Sequence, residues 1–182
     1  MTIKQDAIHT RTRLVDAAIQ MMLEDGAKLI TLDAVAKRAG VSKGGLLHYF
    51  PSKEALIDAI LRHLFAEFTI QVERYLALEP ERAGRWARAY IRATFEPAPP
   101  PMELALLLFP LIESEALLSL FRQDTMQWHE RLWHDGLPRA RALIIQQAAD
   151  AYWLNRTLHI TEEDVVLHEA VLHELLTLTE VV

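Results

Sequence analysis

The chain contains no cysteine, which excludes a disulfide framework, a cysteine-based zinc finger, a thiol nucleophile and a CxxC redox centre. Glycine and proline are sparse, six and eight of 182 residues, too few for a disordered or collagen-like chain. Long apolar runs are absent as well. The longest, residues 104–112, is nine residues with Pro110 inside it, well short of the ~20 a membrane helix needs. The opening residues, MTIKQDA, are polar and lack the pattern of a secretory signal. What is present is apolar side chain: 51% of residues are hydrophobic and 24% charged, enough to bury a core without disulfides or metal. We expect a soluble, cytoplasmic protein.

Negative charge dominates, but unevenly. Residues 1–62 carry nine Lys/Arg against seven Asp/Glu, a net of +2, while residues 63–182 carry ten against eighteen, a net of −8. A mildly basic head on an acidic body leaves the head as the part suited to meet a polyanion.

The apolar periodicity is helical throughout, and we expect an all-α fold of about nine helices. Leu14, Val15, Ala18, Ile19, Met22 and Leu23 form one stripe on a first helix ending near Gly26. Thr31 is placed to cap a short second helix with Asp33 in its first turn and Leu32, Val35 and Ala36 inward. Gly40 suits a sharp turn, Ser42 a second cap, and Pro51 a break before a long helix from Ser52 to about residue 78. Further helices are expected over residues 82–95, 102–109, 111–134, 139–158 and 162–180, the last capped by Thr161. Prolines in residues 96–101 make an extended connector, and residues 135–138 (DGLP) read as a turn.

The informative stretch is TLDAVAKRAGVSKGGLLHYFPSKEAL, residues 31–56. Two short helices across a glycine turn, buttressed by a preceding helix, form the helix-turn-helix plan, whose second helix enters a DNA major groove. Leu46 and Phe50 are spaced to face the core, which leaves Lys43, Gly44, Leu47 and His48 on the other face. Gly44 and Gly45 together cost about 2 kcal/mol of helix propensity relative to alanine. A frayed first turn would explain that cost, and so would close approach of the backbone to phosphates or base edges.

These residues resemble the DNA-binding domain of the TetR/AcrR family of bacterial one-component regulators. The resemblance rests on Thr31, Val35, Ala36, Ala39, Gly40, Val41, Ser42, Lys43, Gly44, Leu46, His48, Tyr49, Phe50, Ser52, Lys53 and Leu56. It covers the head. The rest of the chain is similar to the family only in helix count and length. The resemblance implies that Thr31 both caps its helix and reaches a phosphate, and that Ser42 and Lys43 open the recognition helix. It further implies that His48 and Tyr49 touch phosphates or base edges, and that Lys53 binds phosphate. Gly45 stands where the family often has threonine and Leu47 where it often has tyrosine, so two hydroxyl contacts are missing and Leu47 offers an apolar surface for a thymine methyl. The expected division is residues 1–51 for DNA binding and 52–182 for ligand binding and dimerisation.

For the body, the resemblance implies an effector pocket and a homodimer made by the last two helices. Pocket candidates are the aromatic and flexible residues of the middle helices: Phe65, Phe68, Trp86, Tyr90, Phe95, Met102, Phe109, Phe121, Trp128 and Trp133. Arg92, Glu113, Gln127 and Gln146 are polar candidates to orient a ligand. Dimer candidates are Leu143, Ile144, Ala148, Ala151 and Tyr152 on the penultimate helix, and Val165, Leu172, Leu175, Leu176 and Thr179 on the last. The alternative for these side chains is packing within one chain.

Enzyme signatures are missing from the sequence: there is no GxSxG, Walker loop or GxGxxG. His129 and His134 are five apart, as are His168 and His173, and five residues carry a helix ~140° beyond a full turn, so neither pair converges on a metal. No catalytic residue, metal or cofactor is expected. The expectation is a DNA-binding regulator, a repressor released from a pseudo-palindromic operator by an apolar small molecule, with double-stranded DNA and a second copy of the chain as partners. The alternatives are an activator, a ligand-independent regulator, or a helical binding module or enzyme that keeps the helix-turn-helix only as architecture.

Overall fold

The computed structural model describes residues 3–25, 30–96, 103–108, 115–160 and 164–180. Among them the chain forms nine helices and no strand: α1 (Ile3–Asp25), α2 (Leu32–Arg38), α3 (Lys43–Tyr49), α4 (Lys53–Leu78), α5 (Arg85–Phe95), α6 (Glu103–Leu108), α7 (Glu115–Trp133), α8 (Arg139–Thr157) and α9 (Val165–Thr177). None of them is long and apolar enough to cross a membrane. The chain packs as two units, one of residues 1–66 with 100–118 and one of residues 67–99 with 119–182.

The first unit is built from local signals. The α1 stripe buries Leu14, Val15, Ala18, Ile19 and Met22 as expected, but Leu23 is exposed and Met21 is buried in its place. At 100° per residue, position 21 lies on the same side as 14 and 18, while 23 has rotated past the edge. Ile30 and Val35 flank the Thr31 cap at the spacing of a hydrophobic staple, and both are fully buried. Leu46 and Phe50 from α3, with Leu56, Ile57, Ile60 and Leu61 from the start of α4, complete this core, and α6 packs on α1.

The second unit centres on α5, which buries most of its circumference and packs on α8 and α9. Helix α5 begins at Arg85, later than residue 82, and the reason is tertiary. Gly84 adopts φ +77°, and a Cβ there would sit 2.7 Å from the Thr179 carbonyl oxygen. The Asp135 carboxylate then accepts from the Trp86 and Ala87 amides, each at 2.8 Å, supplying from 48–49 residues away the cap that α5 lacks locally. Arg88 is 4% exposed. Its Nε donates to Glu79 at 2.7 Å and its Nη1 to the Ala83 carbonyl at 2.9 Å, while Arg92 Nε donates to the other Glu79 oxygen at 2.9 Å. Burial of a guanidinium is tolerable here because its donors are paired.

Helix α9 begins at Val165, not residue 162. Asp164 is its cap, accepting from the Val166 and Leu167 amides at 2.9 and 3.0 Å, whereas the expected cap, Thr161, lies outside the described residues.

Candidate nucleic-acid interface and effector site

The head presents one helix with two faces. Thr31 Oγ1 accepts from the Ala34 amide at 3.2 Å and opens α2, Ser42 Oγ accepts from Gly45 at 3.1 Å and opens α3, and Ser52 Oγ accepts from Ala55 at 3.2 Å and opens α4. Gly40 turns the chain between α2 and α3 at φ +68°, and the Arg13 guanidinium ties the preceding Ala39 carbonyl to α1 at 2.5 Å. With Leu46 and Phe50 buried, α3 leaves Lys43, Gly44, Leu47 and His48 exposed, while Gly45 and Tyr49 are half-buried. Thr31 and Ser42 are exposed and Lys53 is half-buried at the start of α4. Lys43 pairs with Asp33 at 2.9 Å, both side chains largely in solvent, so the pair contributes at most about 1 kcal/mol and breaks readily for a phosphate. A Cβ on Gly44 would meet nothing within 4 Å. Among the described residues, no packing therefore requires glycine there.

In the second unit four of the aromatic candidates form one cluster. Phe68 packs edge-on against Tyr90 and Trp128 at 5.7 and 5.2 Å between centroids, and Tyr90 stacks on Trp86 at 5.1 Å. The Tyr90 hydroxyl donates to the Asp150 carboxylate at 2.5 Å. Burial pushes the Tyr90 hydroxyl well above its ordinary pKa, and the Asp150 charge adds to it. Burial likewise raises Asp150, opposed by hydrogen bonds from Tyr90 and Gln146 and by the nearby His129. Gln146 is buried, and its Oε1 has no partner. Asp150 and its neighbour His129 were not singled out as ligand groups by sequence reasoning. The available signal was the i, i+4 spacing of Gln146 and Asp150 on α8, which puts both on one face.

The other pocket candidates lie elsewhere. Phe65 is buried in the first unit. Phe95 stacks on Tyr152 at 4.9 Å beside His168, and burial, with Arg156 close by, lowers the His168 pKa. Trp133 is exposed, stacked on His129 and covered by the Arg139 guanidinium. Arg92 is held by Glu79 and Gln127 is exposed. Met102, Phe109, Glu113 and the Phe121 side chain lie outside the described residues. On α8 and α9, Leu143, Ile144, Ala148, Ala151 and Val165 are exposed and Tyr152, Leu172 and Leu176 half-buried. Leu175 and Thr179 are buried in the protomer itself, the latter because the end of α9 closes over Gly84.

Residues 14–60 match the family model described as "Bacterial regulatory proteins, tetR family", and residues 84–180 match "Tetracyclin repressor-like, C-terminal domain". The chain belongs to the TetR family. Among curated TetR-family relatives, the HTH-type transcriptional regulator BetI of Burkholderia mallei (strain NCTC 10229) is 31% identical over 162 residues, covering 81% of this chain and 82% of BetI. Among solved structures, a transcriptional regulator from Rhodococcus sp. Rha1 aligns with TM-score 0.76 and 19% identity, over 93% of this chain and 95% of that one. The multidrug binding protein EbrR, complexed with ethidium, aligns with TM-score 0.71 and 22% identity, over 93% and 97%. These two likenesses establish the TetR-family fold. Family and relatives are transcriptional regulators and not enzymes, and this chain is accordingly a DNA-binding regulator.

Proposed function

We propose that the protein is an effector-responsive repressor that binds a pseudo-palindromic operator as a homodimer and leaves it when an apolar small molecule occupies the second unit. Residues 1–51 carry DNA recognition, and residues 52–182 carry effector binding and dimerisation. The observation that carries this reading is the two-faced α3, with Leu46 and the adjoining Phe50 inward and Lys43, Gly44, Leu47 and His48 outward. Tyr49, Thr31, Ser42, Gly45 and Lys53 flank that outward face and complete the proposed contact set.

Dimerisation is supported by exposed apolar side chains on the last two helices, Ile144 at 60% and Val165 at 76% exposure among them. A two-fold dimer would present two recognition helices to half-sites one DNA turn apart. Effector binding is supported by the aromatic cluster around Tyr90 and by the likeness to EbrR, which has been solved with ethidium and with malachite green. Release follows from population shift. The effector favours a state whose heads do not fit consecutive major grooves, by as much as its affinity differs between the two states. Operator binding puts this work in the cytoplasm.

The test is a DNA-binding titration against the DNA flanking the protein's own gene, with random DNA as competitor, at two salt concentrations. The expected result is specific, salt-dependent binding that a Lys43→Ala/Tyr49→Ala variant loses, and a Lys53→Ala variant whose log–log salt slope is lower by about one. Affinity for random DNA equal to that for a sequence selected by the protein would overturn the reading.

A further inference from the structure

One exposed ion pair in the first unit lies among the proposed DNA contacts. Asp33 stands in the first turn of α2, two residues after Thr31, and Lys43 opens α3. Lys43 Nζ donates to Asp33 Oδ2 at 2.9 Å, with the two side chains 59% and 67% exposed. Gly44, next along α3, puts no side chain beside the pair, and a Cβ there would meet nothing within 4 Å. A pair this exposed adds little to stability. A carboxylate in such a place is also a liability, because it repels the phosphates of a duplex. It has one use there. Phosphate oxygens only accept hydrogen bonds, so an acceptor brought to the major groove finds its donors on base edges, at N4 of cytosine and N6 of adenine.

We infer that Asp33 is a specificity-determining residue, and that the Asp33–Lys43 pair, kept intact, reads one G·C base pair in each half-site. The inference rests on the DNA-binding reading proposed above and deepens it by naming the base pair. In a G·C pair the O6 acceptor of guanine and the N4 donor of cytosine are hydrogen-bonded to each other, so they stand about 2.9 Å apart. Lys43 Nζ and Asp33 Oδ2 stand at the same 2.9 Å separation with the roles reversed. Set edge to edge, the ammonium donates to O6 and to the neighbouring N7, while the carboxylate accepts the N4 hydrogen that base pairing leaves free. An A·T pair also sets a donor beside an acceptor, N6 beside O4. It offers the ammonium a single acceptor there, flanked by the thymine methyl, where guanine offers two. On other sequences Lys43 must leave Asp33 to reach a phosphate, and the carboxylate then faces the duplex uncompensated. The pair therefore favours its own base pair and penalises the rest.

The test uses the full chain. A binding sequence is selected from random DNA by the wild type, and affinity is then measured with each base pair replaced in turn, for the wild type and for Asp33→Ala. One G·C position per half-site is expected at which replacement by A·T weakens the wild type about tenfold. Asp33→Ala, checked for helix content by circular dichroism, is expected to cut that penalty to less than about twofold and to leave the other positions unchanged. Its affinity for random DNA is expected to rise several-fold, since a charge that repels phosphates is gone. A second measurement needs no variant: 7-deazaguanine at the sensitive position removes N7 and is expected to weaken wild-type binding several-fold. An unchanged base profile in Asp33→Ala, a loss spread evenly over all positions, no response to 7-deazaguanine, or a selected sequence without a sensitive G·C position would each overturn the inference. Any of these results with a selective wild type leaves the DNA-binding reading standing. A wild type that binds every sequence alike sinks that reading and this inference together.

Discussion

The two units are held by interactions of different range. In the first, each short helix is opened by a hydroxyl that reaches an amide three residues on, at Thr31, Ser42 and Ser52. In the second, α5 is capped by Asp135, its Arg88 is paired with Glu79, and its Tyr90 is bound to Asp150 sixty residues away. A unit made of local signals tolerates loss of any one of them, because each helix end retains its neighbours. A unit whose polar groups are paired in the interior does not, because removing one partner strands the other in a medium that cannot solvate it.

The largest effect expected from this contrast is at Glu79. Glu79→Leu leaves the buried Arg88 guanidinium with the Ala83 and Pro80 carbonyls and the Thr179 hydroxyl but no opposite charge, and should cost about 3 kcal/mol or more in urea unfolding. The same experiment on Lys43→Ala, which breaks the exposed pair with Asp33, should move stability by less than about 1 kcal/mol. Equal losses in the two variants would break the comparison.

Next come the caps. Asp135→Ala strands the Trp86 and Ala87 amides and should cost about 2–3 kcal/mol, whereas Thr31→Ala removes an exposed local cap worth about 1 kcal/mol. Thermal unfolding of the two variants side by side ranks them, and a Thr31→Ala loss as large as that of Asp135→Ala would mean that the first unit is no less dependent on single contacts.

The smallest effect separates stability from function within the head. Gly44→Ala adds a methyl into open space and should stabilise α3 by about 0.5–1 kcal/mol. Under the proposed contact set the same methyl weakens operator binding several-fold, since it stands where the backbone approaches the duplex. A variant that is more stable and binds DNA unchanged would leave Gly44 as the residue of a loose first turn.

Much of the all-helical fold was legible in the sequence. The long helix α4 was expected from Ser52 to about residue 78 and spans Lys53–Leu78. The caps of α2 and α3, the Gly40 turn and the buried Leu46 and Phe50 could be read from spacing alone, because every one depends on residues within a turn or two of each other. In the body the same reasoning identified aromatic positions but not their groupings. Phe68, Trp86, Tyr90 and Trp128 come together, while Phe65, Phe95 and Trp133 go to other places. Helical periodicity states which side chains turn inward. It does not state which inward side chain on another helix each will meet, and aromatic rings pack against one another interchangeably.

By itself, then, this sequence determined what a few consecutive residues can enforce: helix ends, the turn at Gly40, the inward stripe of each helix and the outward face of α3. Only the tertiary structure decided that α5 starts at Arg85, that Leu175 and Thr179 are buried within the protomer, and that Asp150 is seated against Tyr90. The physical reason is range. A cap or a stripe costs the chain little entropy to assemble and is written in adjacent residues. A pairing across 48 to 60 residues forms only once helix packing has brought its members together.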